Sequence, residues 1–124
     1  MKIDRPKISV LMPVYNGDKF LAKAVNSILN QTFNNFEFII INDGSTDNSL
    51  TILKSFNDKR INIINNTENK GITFALNKGL KSAKGKYIAR QDQDDISDPN
   101  RFLLQIEYLE KHNIDLVDTN FIFI

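Results

Sequence analysis

Phe36-Glu37-Phe38-Ile39-Ile40-Ile41 runs directly into Asn42-Asp43-Gly44-Ser45-Thr46-Asp47. The first half is short, apolar and rich in β-branched isoleucine. Such a run, without polar alternation, reads as a strand covered on both faces. The second half holds residues that suit turns and helix caps, with Thr46 or Asp47 placed to cap the next helix. A strand that ends in a polar turn before a helix is half of a βαβ unit.

The same unit repeats outward in both directions. Toward the N-terminus, Ile8 to Met12 is a second apolar run between Pro6 and Pro13, and Pro13 is expected to end it. Phe20, Leu21, Ala24, Val25, Ile28 and Leu29 then recur at the spacing of one helix face. Toward the C-terminus, Asn48 to Phe56 is a short helix candidate and Ile61 to Ile64 a third strand. Ile72, Ala75, Leu76, Gly79, Leu80 and Ala83 form a helical stripe that stops at Gly85. Tyr87 to Ala89 is a weak fourth strand. Asp98 is expected to cap the last helix, with Pro99 at its first position and Phe102, Ile106 and Leu109 on its buried side. Leu116, Val117 and Phe121 to Ile124 suggest an interrupted fifth strand. Alternation of this kind predicts parallel strands joined by helical crossovers, hence an α/β sandwich. No linker or repeat divides residues 1–124, so they are expected to form a single domain.

Composition narrows the functions. At 124 residues, with 41% hydrophobic and 25% charged, the chain can bury one core. Its net charge of +1 balances 16 basic against 15 acidic residues, which argues against nucleic acid as a partner. Having no cysteine, it carries no disulfide, thiolate metal site or cysteine nucleophile; with His112 alone it has no multi-histidine site. No apolar run approaches the roughly 20 residues of a membrane span. The expected location is the cytoplasm or the cytoplasmic face of its membrane.

Ligands of open α/β sheets bind beyond the carboxyl ends of the strands. Polar clusters follow three of the strands here: Pro13-Val14-Tyr15-Asn16-Gly17, Asn42 to Asp47, and Gln91-Asp92-Gln93-Asp94-Asp95. Parallel strands bring all three to one rim. In the last cluster three carboxylates repel one another unless a cation neutralises them. Hard ions such as Mg²⁺ or Mn²⁺ favour carboxylate oxygens and share coordination with phosphates. One of Asp92 and Asp94 could take the metal while the other meets a ribose; the plain alternative is a solvated acidic loop before a helix. Asp43, at a strand end, could accept N–H groups from a base, or could belong to an ordinary turn. The Pro13–Asn16 segment could fold over a base, or Tyr15 could be core.

Taken together and in order, these pieces resemble glycosyltransferase family 2, which has the GT-A fold. The resemblance rests on Pro13-Val14-Tyr15-Asn16, Asn42 to Asp47, and Asn69-Lys70-Gly71 leading to Ala75-Leu76-Asn77-Lys78-Gly79. It continues through Ala83-Lys84-Gly85-Lys86-Tyr87-Ile88-Ala89-Arg90, Asp92-Gln93-Asp94-Asp95 and Pro99-Asn100-Arg101-Phe102, and covers Ile8 to the last residue. It implies that Pro13, Val14, Tyr15 and Asn16 cover the nucleotide and that Asp43 binds uracil or another base. Asp92 and Asp94 stand at the outer positions of the Asp-X-Asp motif, Asp94 as the metal ligand and Asp92 near the ribose or as a second ligand. The implied cofactor is Mn²⁺ or Mg²⁺. The implied donor is a nucleotide-sugar, a UDP-sugar foremost, and the acceptor a saccharide or lipid-linked glycan in polysaccharide biosynthesis, with inversion at the sugar.

Family members are usually much longer. Their acceptor half and catalytic base lie beyond the Asp-X-Asp motif, so the base is expected beyond residue 124 and residues 1–124 form the donor-binding portion alone. A nucleotide- and metal-binding fragment without transfer activity is the alternative. A phosphoryl-accepting receiver or phosphatase domain would need an acidic residue after the first strand, where Val14-Tyr15-Asn16-Gly17 stands.

Overall fold

The computed structural model describes residues 5–117. Four parallel strands form the sheet: β1 (Ile8–Val14), β2 (Phe36–Asp43), β3 (Ile61–Asn66) and β4 (Tyr87–Arg90), in the order β3-β2-β1-β4. Between and after them run α1 (Leu21–Leu29), α2 (Ser49–Lys54), α3 (Ile72–Ser82) and α4 (Arg101–His112). The expected α/β sandwich with a parallel sheet is what forms.

Side chains alternate across a strand, so each central strand feeds two cores. Ile8, Val10, Met12 and Val14 of β1 join Phe36, Phe38 and Ile40 of β2 on one face, where α1, Leu53 and the Phe102 and Ile106 of α4 cover them. Leu11, Ile39 and Ile41 face the other way, onto Ala75 of α3. The opening hexapeptide of β2 is apolar without alternation because both its faces are buried. At the ends of the described sheet the rule fails. β3 buries only Asn66 and leaves the rest half-buried or exposed, β4 alternates between half-buried and exposed residues, and Ile88 of β4 is 47% exposed.

Several boundaries differ from expectation. Pro13 does not end β1; it pairs in register with Ile41 inside the strand. Leu11 offers its carbonyl to Gln91 N–H on the β4 side, at 3.0 Å, so alternation turns the Pro13 nitrogen to that same side, past the last β4 rung. No ladder hydrogen bond is lost there, which is where a strand tolerates proline. Asp98 and Pro99 do not open α4 either. Asp98 accepts Asn100 N–H at 2.8 Å in a turn, and the helix begins at Arg101. Leu116 and Val117 form no strand, Leu116 being 86% exposed, and Phe121 to Ile124 lie outside the described residues.

The short turn into β4 has a physical reason for its Ala83-Lys84-Gly85 sequence. Glu37 accepts both Ser9 Oγ–H (2.6 Å) and Lys84 N–H (2.7 Å), and Ser9 Oγ accepts Gly85 N–H (2.8 Å). The chain thereby passes so close to β1 that a Cβ at Gly85 would lie 2.5 Å from Ser9 N.

Candidate functional site

The strand order places the carboxyl ends of β2, β1 and β4 side by side. Successive strands β1, β2 and β3 step one way from β1, whereas β4 lies on its other side. The connections leaving β1 and β4 therefore diverge, which makes the crevice where such sheets bind ligands. All three polar clusters converge on this rim, and hydrogen bonds join them.

The loop after β1 is stitched to the loop after β2. Asn16 takes a left-handed φ of 47°, which asparagine tolerates better than most residues. In that pose its Oδ1 accepts Thr46 N–H (2.8 Å) and Asp47 N–H (3.3 Å), while its own N–H reaches Ser45 Oγ (3.0 Å). Gly17 N–H donates to buried Ser49 Oγ at 3.0 Å, and Asp18 N–H to Asp47 at 3.1 Å. Asp47 also accepts Ser49 N–H at 2.9 Å, so it does serve the start of α2. Burial works to raise the Asp47 carboxyl, but its hydrogen bonds to Ser49 and Asp18 more than offset this and hold it below the ordinary carboxylate value. Val14 is fully buried in the core, so only its backbone is available to a ligand, whereas Tyr15 is 43% exposed at the rim.

Asp43 is only 3% exposed and holds a third loop. Its carboxylate accepts Asn66 Nδ2–H (2.9 Å), Gly71 N–H (2.8 Å) and Lys70 N–H (3.1 and 3.2 Å to its two oxygens). Burial pushes the Asp43 carboxyl up; the bonds from Asn66, Lys70 and Gly71, with the Lys70 charge, outweigh it and leave the group below its ordinary value. These three donors make four contacts, two at each oxygen, because the Lys70 N–H is shared between them. Gly44 follows at φ 71°, and a Cβ there would stand 2.5 Å from the Glu68 backbone. Glycine at this position lets the loop after β3 close onto Asp43.

The acidic cluster is built differently. Asp94 and Asp95 are exposed, and Asp92 is half-buried with Arg90 Nε 3.4 Å from its Oδ1. Burial, then the charges of Asp92 and Asp94, raise the Asp95 carboxyl against the opposing pull of Arg101. Among the described residues no three His, Cys, Asp or Glu side chains converge to hold a metal by themselves. That donor set fits a hard cation bound through one or two carboxylates and completed by phosphate oxygens and water. Behind the loop, Gln91 is buried; its Nε2 donates to Asp95 O (2.7 Å), and its Oε1 accepts Ser97 Oγ–H (2.7 Å) and Arg101 Nη1–H (3.1 Å).

Gln93, the middle residue of the acidic motif, carries a role that its sequence position does not disclose. Its Oε1 accepts Tyr15 N–H (2.9 Å) and its Nε2 donates to Tyr15 O (3.1 Å). One amide thus docks the acidic loop against the loop after β1.

The description glycosyl transferase family 2 matches residues 9–124. The chain belongs to glycosyltransferase family 2. It is 46% identical over 110 residues to EpsE of Bacillus subtilis, covering 86% of this chain and 40% of that protein. It is 36% identical over 114 residues to the Escherichia coli UDP-Glc:α-D-GlcNAc-diphosphoundecaprenol β-1,3-glucosyltransferase WfgD, covering 92% and 45%. Staphylococcus aureus TarS in complex with UDP-GlcNAc superposes with a TM-score of 0.82 at 28% identity, over 86% of this chain and 32% of TarS. The family-2 chain described here therefore spans less than half the length of these relatives. No helix among its described residues is long and apolar enough to cross a membrane.

Proposed function

We propose that these residues form the donor-binding part of a sugar transferase that takes a UDP-sugar together with Mn²⁺ or Mg²⁺. One observation carries the reading: the loops bearing Tyr15, Asp43 and Asp94 share one rim and are joined there by protein hydrogen bonds. The base would lie between the Pro13–Asn16 segment and Asp43, whose carboxylate would accept an N–H of the base edge in place of one arm of the shared Lys70 N–H contact. The ribose would meet Asp92, and Asp94 would be the metal ligand, with Asp92 the second candidate. The metal, when bound, offsets the charge that develops on the departing nucleoside diphosphate. The chain's own part is to fix the base, orient the diphosphate toward Asp94, and hold the acidic loop in place through Gln93, Gln91 and Arg101.

The names of the relatives support the donor class: WfgD carries UDP-Glc in its name and TarS is complexed with UDP-GlcNAc. Inversion at the sugar, a saccharide or lipid-linked acceptor, a role in polysaccharide biosynthesis and work at the cytoplasmic face of the membrane belong to the same proposal. The catalytic base is proposed to lie in the portion of the family fold beyond residue 124. Calorimetric titration of the 124-residue chain with UDP, in Mn²⁺ and then in EDTA, tests the site. Binding that requires the metal is expected; equal binding in EDTA would remove Asp94 and Asp92 from the proposal.

A further inference from the structure

Lys78 projects from α3 toward the base side of the rim. Its Nζ donates to Asn66 Oδ1 at 2.6 Å, and Asn66 Nδ2 donates onward to Asp43 Oδ1 at 2.9 Å. Asn66 is buried, at 6% exposure, between the two charges. An ammonium only donates and a carboxylate only accepts, so an amide between them has a single orientation that satisfies both. The Phe74 ring helps to keep the lysine in place, with Lys78 Nζ 6.0 Å and Lys70 Nζ 5.2 Å from its centroid.

We propose that Lys78 is a positioning residue for base selection: through Asn66 it fixes Asp43 as an acceptor of defined place, which favours a base whose edge presents a ring N–H over one that presents a bare ring nitrogen. This rests on the reading of Asp43 as the base contact. Uracil offers N3–H to a carboxylate, whereas the N3 of cytosine is an acceptor and repels it. The carboxylate alone keeps Nδ2 turned toward Asp43, but without the ammonium the Asn66 Oδ1 loses the partner that fixes the other end of the amide. The amide is then held at one end only, and the place of Asp43 as an acceptor is less sharply defined. Lys78 lies on α3 and outside the acidic loop, so the diphosphate and metal contacts are untouched by this change.

The experiment compares UDP with CDP, each in Mn²⁺, by calorimetry on the 124-residue chain. In the wild type UDP is expected to bind about tenfold or more tightly than CDP, the effect of one matched against one mismatched buried hydrogen bond. In Lys78→Met the ratio falls to about threefold or less because UDP weakens while CDP does not, and Lys78→Arg, which keeps a donor, restores most of it. Should Lys78→Met fail to fold by circular dichroism, Asn66→Leu gives a second test: it is close in shape to asparagine and removes the donor to Asp43 without adding charge. An unchanged ratio in the variant overturns the relay. So does an equal loss for UDP and CDP, since that marks a phosphate contact. A wild-type ratio near one sinks the Asp43 base reading itself, and is distinct from both.

Discussion

The two halves of the rim are held in opposite ways. On the side proposed for the base, Asn16, Asp43 and Asn66 have protein donors and acceptors within hydrogen-bond distance, and Asp43 is 3% exposed. On the side proposed for the diphosphate, Asp94 and Asp95 are exposed, and partial desolvation together with its acidic neighbours raises the Asp95 carboxyl. The first side is preorganised by the chain itself; the second keeps exposed negative charge that the proposed cation would satisfy. A polar group buried in the first region is stabilised before any ligand arrives, whereas in the proposed reading the second would gain its stabilising partner only with metal and diphosphate. Substitutions on the two sides should therefore fail differently.

The largest effect should come from the phosphate side. Asp94→Asn keeps the shape but removes one charge and a preferred hard ligand. UDP affinity in Mn²⁺ is expected to fall by about a hundredfold, to the level found in EDTA, with the melting temperature of the free chain unchanged. Titrations in both buffers check it; an Asp94→Asn chain that still gains affinity from Mn²⁺ breaks the division of labour. Asp43→Ala should follow. One or two hydrogen bonds to a base lost correspond to about a tenfold to hundredfold loss of affinity. Here the free chain is altered as well, because Lys70 N–H and Asn66 Nδ2 lose their acceptor and Gly71 N–H keeps only Asn69 Oδ1. Faster hydrogen exchange at the Lys70 and Gly71 amides, without any change in metal affinity, is the expected signature. Unchanged UDP affinity in this variant would place Asp43 outside the site.

Gln93→Ala tests the seam between the halves. It deletes both hydrogen bonds to the Tyr15 backbone, in an exposed place where water can replace them. A loss of about threefold to tenfold in UDP affinity is expected, with little change in melting temperature. Identical affinity would mean that the two loops hold their places independently.

Most of the architecture was legible because α/β sheets write themselves in apolar runs separated by helical stripes. β2 could be read from Phe36 to Ile41 because both of its faces are buried, and the placement of three clusters on one rim followed from parallel pairing alone. The limits have particular causes. Pro13 looks like a strand end because proline lacks a ladder donor; only the neighbouring strand's early end shows that no donor is required there. Asp98 looks like a cap, yet its side chain closes a turn before the helix. At the site, Asp43 and Asp94 stand out as carboxylates at strand ends. Gln93, Asn66 and Lys78 do not, because their roles depend on contacts 78, 23 and 12 residues away in the chain. A neutral amide between two charges has no signature of its own in a sequence.

Asp95→Asn should give the smallest effect and the sharpest separation of free from metal-loaded chain. The folded-state carboxyl of Asp95 is raised by burial and by Asp92 and Asp94, with Arg101 opposing. A carboxyl raised on folding disfavours the folded state once it ionises, so its penalty is present above the raised folded value and vanishes below the ordinary unfolded one. Replacing it with neutral asparagine should therefore stabilise the free chain near neutral pH. Because Asp95 is exposed and screened by solvent, the gain should be small, a rise of about 1–3 °C in melting temperature. The difference from wild type should narrow as the pH falls through the carboxylate range. With Mn²⁺ and UDP the sign should turn over: the cation attracts the charge that its acidic neighbours repel, so the wild type should gain more stability from the ligands than Asp95→Asn does. Paired thermal melts at neutral and acid pH, with and without Mn²⁺ and UDP, measure both halves. A variant less stable than wild type in the free chain at neutral pH would show that Arg101, and not the repulsion within the acidic loop, dominates the surroundings of Asp95.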